Sequence, residues 1–263
     1  MKEFRDRTIG RAPLIGTFAE IPHPVAIEVM AQTKPDFLCI DWEHSQIARD
    51  QIENLVRASD IHGVPAMVRV PGHSPEEIAA ALDSGARGIL APRVSTAAQA
   101  AAIVKASRYP PEGERGVGPS RATNYGYGIF DYLGKANASN VVAVQVETAE
   151  GLANVDRIAA VEGVDVVFIG PGDLSVSLDI WRPEGAAKLA KAIEKIVAAT
   201  LKRGKAAGIF CAKAEDVGRW AERGASFFLL ASDTMFLGAA VAASIAEART
   251  GLKPAKRRRS VKG

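Results

Sequence analysis

Short apolar runs alternate with amphipathic segments along almost the whole chain. Eight of the runs predict strands: 14–20 (LIGTFAE), 37–43 (FLCIDWE), 65–70 (PAMVRV), 88–94 (GILAPRV), 141–148 (VVAVQVET), 164–170 (VDVVFIG), 206–212 (AAGIFCA) and 226–232 (SFFLLAS). They are continuous apolar runs, not strict alternators, which suits parallel strands covered on both faces. Between them the polar positions recur at helical spacing. "SPEEIAAALDSGA" predicts a helix with Ser74 as N-cap, Pro75 at the first helical position, Glu77 completing a capping box and Gly85 as the stop. "STAAQAAAIVKASRYPP" predicts a second helix, ended by its double proline, and "PEGAAKLAKAIEKIVAATLKRG" a third, the longest of these. Eight strands, each followed by a helix, predict an α/β fold closed into a single-domain (β/α)8 (TIM) barrel, with an open doubly wound sheet as runner-up. No GxGxxG opens a helix after the first strand, which counts against a dinucleotide fold. Only 109–140 breaks the rhythm, and a connection of that length reads as a functional loop or a small helical excursion. No linker divides residues 1–252.

Composition narrows this picture. A chain of 263 residues with 48% hydrophobic content can bury one large core. The net charge of +3 leans on the tail 253–263, "KPAKRRRSVKG", while the body is close to neutral. The tail is therefore expected to be a solvated, disordered end, and neither nucleic acid nor membrane is an expected partner. Cys39 and Cys211 sit in separate apolar runs with no CxxC or metal-type spacing, as free core thiols of a reducing compartment do. No apolar stretch approaches ~18 residues and "MKEFRDRTIG" has no hydrophobic signal region, so the cytoplasm is the expected location.

In such a barrel the chemistry collects where the strands end. The second run ends in Asp41, Glu43 and His44; the third places Arg69 near the rim and the fourth Arg93. The fifth carries Gln145 and Glu147 two apart and so on one face, the sixth leads into Asp173, and the eighth ends at Asp233. Glu147 and Asp173, beside an amide, suit a hard divalent cation that keeps positions open for water or substrate. The competing reading has Asp173 capping a helix and Glu147 pairing with an arginine. Arg69 is either a structural ion-pair partner or a fixed cation beside an oxygen that gains charge. His44 either bonds its neighbours or acts as a general base. His23, His62 and His73 carry no assigned chemistry, and "GPGD" reads as a tight turn presenting Asp173.

Taken together, "IDWEHS", "LDSGARGILAPRV", "SRYPPEGERGVG", "VQVETAEGLANVDRIAAVEGVD" and "VFIGPGDLSVSL" resemble the HpcH/HpaI family of class II pyruvate aldolases from about residue 14 to about 240. The resemblance implies a barrel whose last helix packs on a neighbouring subunit, commonly in a hexamer built as a trimer of dimers. It implies a divalent cation (Mg2+, Mn2+ or Co2+) on Glu147 and Asp173, with Gln145 beside it. Arg69 then contacts the keto oxygen of pyruvate, and His44 with Asp83 forms a proton-transfer dyad. Phe18 falls where relatives place a bulky residue near the pocket, and Gly172 where a backbone N–H meets the substrate carboxylate. Two features set this chain apart: Arg93 stands where many relatives have methionine, adding a rim cation that alters preference for acidic aldehydes, and the 109–140 loop bears on acceptor selectivity. The citrate-lyase-type and malyl-thioester branch typically ends the opening motif in an acid, whereas this chain has His44.

The activity so implied is reversible retro-aldol cleavage of a 4-hydroxy-2-oxo acid to pyruvate and an aldehyde through a metal-stabilised enolate. No strand presents a lysine at its C-terminal end, which argues against a Schiff-base route. Alternatives are enolate chemistry with another donor or acceptor (hydroxypyruvate, oxaloacetate condensation, citrate-lyase-type cleavage), or a non-catalytic metal-dependent 2-oxo acid binder.

Overall fold

The computed structural model describes residues 2–252, so the basic tail expected at 253–263 lies outside the described residues. Helix α1 (Lys2–Ile9) precedes the barrel. Then come β1 (Leu14–Ala19), α2 (Pro24–Gln32), β2 (Phe37–Asp41), α3 (Arg49–Ile61), β3 (Ala66–Arg69), α4 (Pro75–Asp83), β4 (Gly88–Ala91) and α5 (Ala97–Ser107). The second half runs α6 (Ile129–Ser139), β5 (Val141–Val146), α7 (Ala149–Ala159), β6 (Val166–Ile169), α8 (Pro171–Ser177), α9 (Ala186–Lys202), β7 (Ala206–Cys211), α10 (Ala214–Ala221), β8 (Phe227–Ser232) and α11 (Asp233–Gly251). The strands are all parallel and close in sequence order, with β1 pairing both β2 and β8. This is the predicted (β/α)8 barrel, and the open sheet is excluded.

The continuous apolar runs resolve into two faces. Leu14, Phe18, Phe37, Cys39, Met67, Leu90, Phe168, Phe227 and Leu229 point inward and fill the barrel. Their neighbours Leu38, Ile40, Val68, Ile89, Val144, Val167 and Phe228 point outward into the shell of helices. Inside, large rings require small partners: a Cβ on Gly208 would lie 2.6 Å from the Phe168 ring.

The strands are shorter than their apolar runs. β2 stops at Asp41 because the Asp41 carboxylate turns back to accept the N–H groups of Glu43 and His44, at 3.1 and 3.2 Å. β5 stops at Val146 because Thr148 caps α7, accepting from the Gly151 N–H. The Ser74 cap forms on α4, but no full box is made: the Ser74 hydroxyl accepts from the Glu77 N–H and donates to Glu76, not to Glu77. Gly85 takes φ +94 just past that helix, as a stop requires. The irregular stretch 109–140 holds a 3-10 turn at Arg121–Gly126 and the helix α6. Among the described residues no helix is long and apolar enough to cross a membrane.

Candidate active site

Inward-facing positions of β2, β3 and β5 become polar at their C-terminal ends, and this change builds the site. Asp41 follows Phe37 and Cys39 on the inner face of β2 and is fully buried. Directly across the register stands Arg69. Its Nε lies 2.8 Å from Asp41 Oδ1 and its Nη2 2.6 Å from Asp41 Oδ2, a two-point ion pair. Glu43 Oε2 adds a longer contact to the same Nε, 3.4 Å, and the Phe18 ring lies 4.3 Å from the guanidinium carbon. Burial would lower the Arg69 pKa, but the Asp41 hydrogen bonds and the charges of Asp41 and Glu43 outweigh it and raise it, so Arg69 is a permanent cation.

On β5 the inner face runs Val141, Ala143, Gln145 and then Glu147, both polar groups being buried. Glu147 Oε1 accepts the Arg93 backbone N–H at 2.8 Å, and Glu147 Oε2 accepts from the Gln145 amide. Both side chains pass over Gly170 at the end of β6, where any Cβ would collide with them. Burial pushes the Glu147 pKa up; the bonds from Gln145 and Arg93 pull it back, and the charges of Asp173 and Glu43 push it further. Burial likewise raises Glu43 to about 7, opposed by Arg69 and reinforced by Asp41 and Asp173.

The pocket above these groups has a volume of about 200 Å³ and is lined by Glu43, His44, Arg93, Glu147 and Asp173, with Thr148, Val176 and Ser177 at its edge. Glu147 and Asp173 therefore share one pocket, as expected. Of the competing structural roles, neither holds: the cap residue of α8 is Gly170, and Glu147 makes no ion pair with an arginine side chain among the described residues. The Gln145 Oε1 atom is buried without a hydrogen-bond partner. Two carboxylates and an orphaned amide oxygen are hard donors and fit a divalent cation. Among the described residues no group of three or more His, Cys, Asp or Glu is spaced to hold an ion, so the remaining positions would fall to water and substrate.

His44 stands at the pocket mouth, exposed, with Nε2 3.6 Å from Glu43 Oε2. Gly172 lies in the first turn of α8 beside Asp173, and a Cβ there would meet nothing within 4 Å, so it borders open space. Phe18 lies deeper than expected, 4% exposed, between Arg69 and the Phe210 ring at 6.0 Å; it supports the arginine and does not line the pocket. Asp83 is not brought to His44 within one chain. It ends α4, a helix that runs back toward the start of the strands, and it pairs with the buried Arg115 at 2.6 Å. Asp233 is structural, its carboxylate accepting the N–H groups of Glu20 and Ile21 at 3.0 Å each. Lys213, two residues past β7, points to solvent beside Glu215 and is absent from the pocket wall.

The sequence places Asp41 at the end of its apolar run without marking a role for it. Its inward parity with Phe37 and Cys39 was readable; its register with Arg69 was not.

The model of HpcH/HpaI aldolase/citrate lyase matches residues 14–240. The chain is 38% identical over 216 residues to 4-hydroxy-2-oxovalerate aldolase of Novosphingobium aromaticivorans, covering 81% of each chain. It is 39% identical over 240 residues to hydroxypyruvate/pyruvate aldolase of Deinococcus radiodurans, covering 90% of this chain and 86% of that one. Among solved structures it is similar to an HpcH/HpaI aldolase/citrate lyase family protein of Burkholderia cenocepacia J2315, with TM-score 0.88, 34% identity, and coverage of 95% of this chain and 100% of that one. A barrel of this closure, with its acids and arginine at the strand ends and relatives named as aldolases across most of its length, belongs to the HpcH/HpaI aldolase/citrate lyase family.

Proposed function

We propose that this chain is a divalent-cation-dependent class II aldolase that reversibly cleaves a 4-hydroxy-2-oxo acid to pyruvate and an aldehyde. One observation carries the reading: Glu147 and Asp173 line one small pocket, the Gln145 amide is bonded to Glu147 with its oxygen unpartnered, and the inner face of β3 supplies a cation, Arg69, locked by Asp41. Bound Mg2+, Mn2+ or Co2+ would supply Lewis-acid polarisation of the 2-oxo group.

The chain's own groups then divide the work. Arg69 offers fixed positive charge to the 2-oxo oxygen as that oxygen becomes an enolate; its position costs no reorganisation because Asp41 already holds Nε and Nη2, leaving Nη1 to the substrate. His44 removes the 4-hydroxyl proton, directly or through one water. The C3–C4 bond breaks, its electron pair moves into the C2–C3 bond, and the aldehyde leaves. Protonation at C3 returns pyruvate. Glu43, its carboxylate 3.6 Å from His44 Nε2, stands where it can exchange that proton. Gly172 borders open space in the first turn of α8, and its backbone N–H would meet the substrate carboxylate.

With Asp83 paired to Arg115 in its own chain, the dyad would require the Asp83 of a second copy. Support for such an assembly comes from α11: of its 19 residues only Asp233 is buried, leaving Phe236, Leu237, Val241 and Ile245 uncovered. A hexamer built as a trimer of dimers, working in the cytoplasm, is part of this reading.

The test is pyruvate alone in D2O. Metal-dependent deuterium entry into the methyl group, abolished by EDTA and restored by Mn2+, is the expected result; exchange indifferent to chelator, or none at all, rejects the proposal.

A further inference from the structure

We infer that Arg93 selects the acceptor, binding an anionic group at the far end of the aldehyde; the inference deepens the aldolase reading of the same site and rests on it. The pocket holding Glu147 and Asp173 is about 200 Å³, below the ~300–1,000 Å³ of ordinary small-molecule sites, so it suits pyruvate and little more. Any longer substrate must leave it. A second, larger cleft of about 590 Å³ adjoins it across the rim of β3, β4 and β5, and Arg93 and Thr148 line both. One wall of that cleft is fixed, because His73 Nε2 lies 2.6 Å from the Pro92 carbonyl oxygen and so ties the loop after β3 to the loop after β4.

Arg93 sits at the seam in a conformation that is costly for an arginine. Its φ is +55, a left-handed value that side chains with a Cβ adopt rarely, and its N–H is committed to Glu147 at 2.8 Å. The backbone bond fixes where the side chain leaves the rim. The side chain itself is exposed and enters none of the ion pairs found among the described residues. The site's other arginine, Arg69, is already engaged by Asp41 and Glu43. Arg93 is thus the uncommitted fork at the boundary between the two spaces, where the second half of a cleaved substrate has to pass. A guanidinium presents paired N–H donors that match a carboxylate or phosphate at two points. The acids lining the same two spaces are Glu43, Glu147 and Asp173 on the inner side and Glu150 on the outer; they repel an anion, so its binding there depends on Arg93.

The experiment condenses pyruvate with paired acceptors: 4-oxobutanoate against butanal, and glyceraldehyde 3-phosphate against glyceraldehyde, in wild type, Arg93→Met and Arg93→Lys. The expected wild-type preference, in kcat/KM, favours at least one anionic member. In Arg93→Met that ratio falls roughly tenfold to a hundredfold, the scale of one hydrogen bond to a charged group, and Arg93→Lys recovers part of it. Which pair responds identifies carboxylate or phosphate. No wild-type preference for either anionic acceptor, or ratios equal in wild type and Arg93→Met, overturns the assignment. Should Arg93→Met fail to fold, the wild-type ratio measured from about 0.02 to 0.5 M salt decides: an exposed charge contact is screened over that range, and a preference that does not fall with salt overturns it. Deuterium exchange into pyruvate, which needs no acceptor, separates the two failures. Exchange with no Arg93 effect removes this inference alone; absence of exchange in wild type removes the aldolase reading and this inference with it.

Discussion

Asp41 and Arg69 face each other across the register of β2 and β3 and join at two points, 2.8 and 2.6 Å, both nearly out of water. Neither residue is intelligible alone. A fully buried carboxylate without a cation would be costly, and an arginine at that depth would otherwise be free to rotate. Together they fix one guanidinium below a pocket whose wall carries three acids, Glu43, Glu147 and Asp173.

Arg69→Ala should therefore lose two things. Turnover should fall by roughly a hundredfold or more, the loss expected for one preorganised oxyanion partner. Stability should also drop, by about 3–5 kcal/mol, because Asp41 is left buried and unpaired. The double variant Arg69→Leu with Asp41→Asn, which removes the buried charge and keeps an acceptor for the Glu43 and His44 N–H groups, should recover much of the stability and none of the turnover. Steady-state kinetics and urea melts on the same preparations separate the two effects.

Glu147→Gln and Asp173→Asn should each weaken binding of Mn2+ without unfolding the barrel, since both acids sit past the ends of their strands. Calorimetric titration of Mn2+ is the direct measurement. Thermal melts with and without excess metal give a second one, because a ligand that binds only the folded state raises the midpoint by mass action. Wild-type midpoints should rise with Mn2+, and those of either variant should rise less.

Glu43 predicts a pH dependence of known sign. Its folded pKa, about 7, lies above the ordinary carboxylate value, so between about pH 4.5 and 7 the folded state holds more proton than the unfolded state. Stability from this group is therefore present at low pH and is lost as pH rises through that window. In metal-free protein, Glu43→Gln should match wild type near pH 5 and melt higher than wild type at pH 8. The difference between the two curves reports Glu43 together with the upward push its charge gives Glu147. Equal midpoints at pH 8 would refute the assignment.

The barrel was legible because a parallel strand buried on both faces has to read as a continuous apolar run, and eight such runs separated by capped helices leave few topologies. The site was legible in part for the same reason: an ionisable residue that interrupts an apolar run at its end has few places to go but the rim. Glu147, Asp173, His44 and Arg69 were found that way. Relations between strands were hidden. Nothing local to Asp41 says that Arg69 is its register partner, and nothing local to Asp83 says that its helix ends beside Arg115 and away from His44. Helix α1 was missed altogether, because "KEFRDRTI" is too short and too charged to show an apolar stripe. Its inward face is one ring, Phe4, with Thr8 a turn later.

That ring carries the last prediction. Phe4 is 4% exposed and closes the barrel opposite the active site, 5.5 Å from the Phe37 ring and 6.4 Å from the Phe227 ring. Two ion pairs hold its helix there: Arg5 to Asp165 at 2.7 Å and Arg7 to Asp36 at 2.5 Å. Phe4→Ala should cost about 3–5 kcal/mol, the range for emptying a buried aromatic site, whereas Arg7→Ala, on an exposed pair, should cost at most about 1 kcal/mol. Because the defect lies at the far end of the strands, the Mn2+ affinity of folded Phe4→Ala protein should match wild type even as its urea midpoint falls. A stability loss below about 1 kcal/mol in Phe4→Ala would mean that α1 decorates the barrel without plugging it.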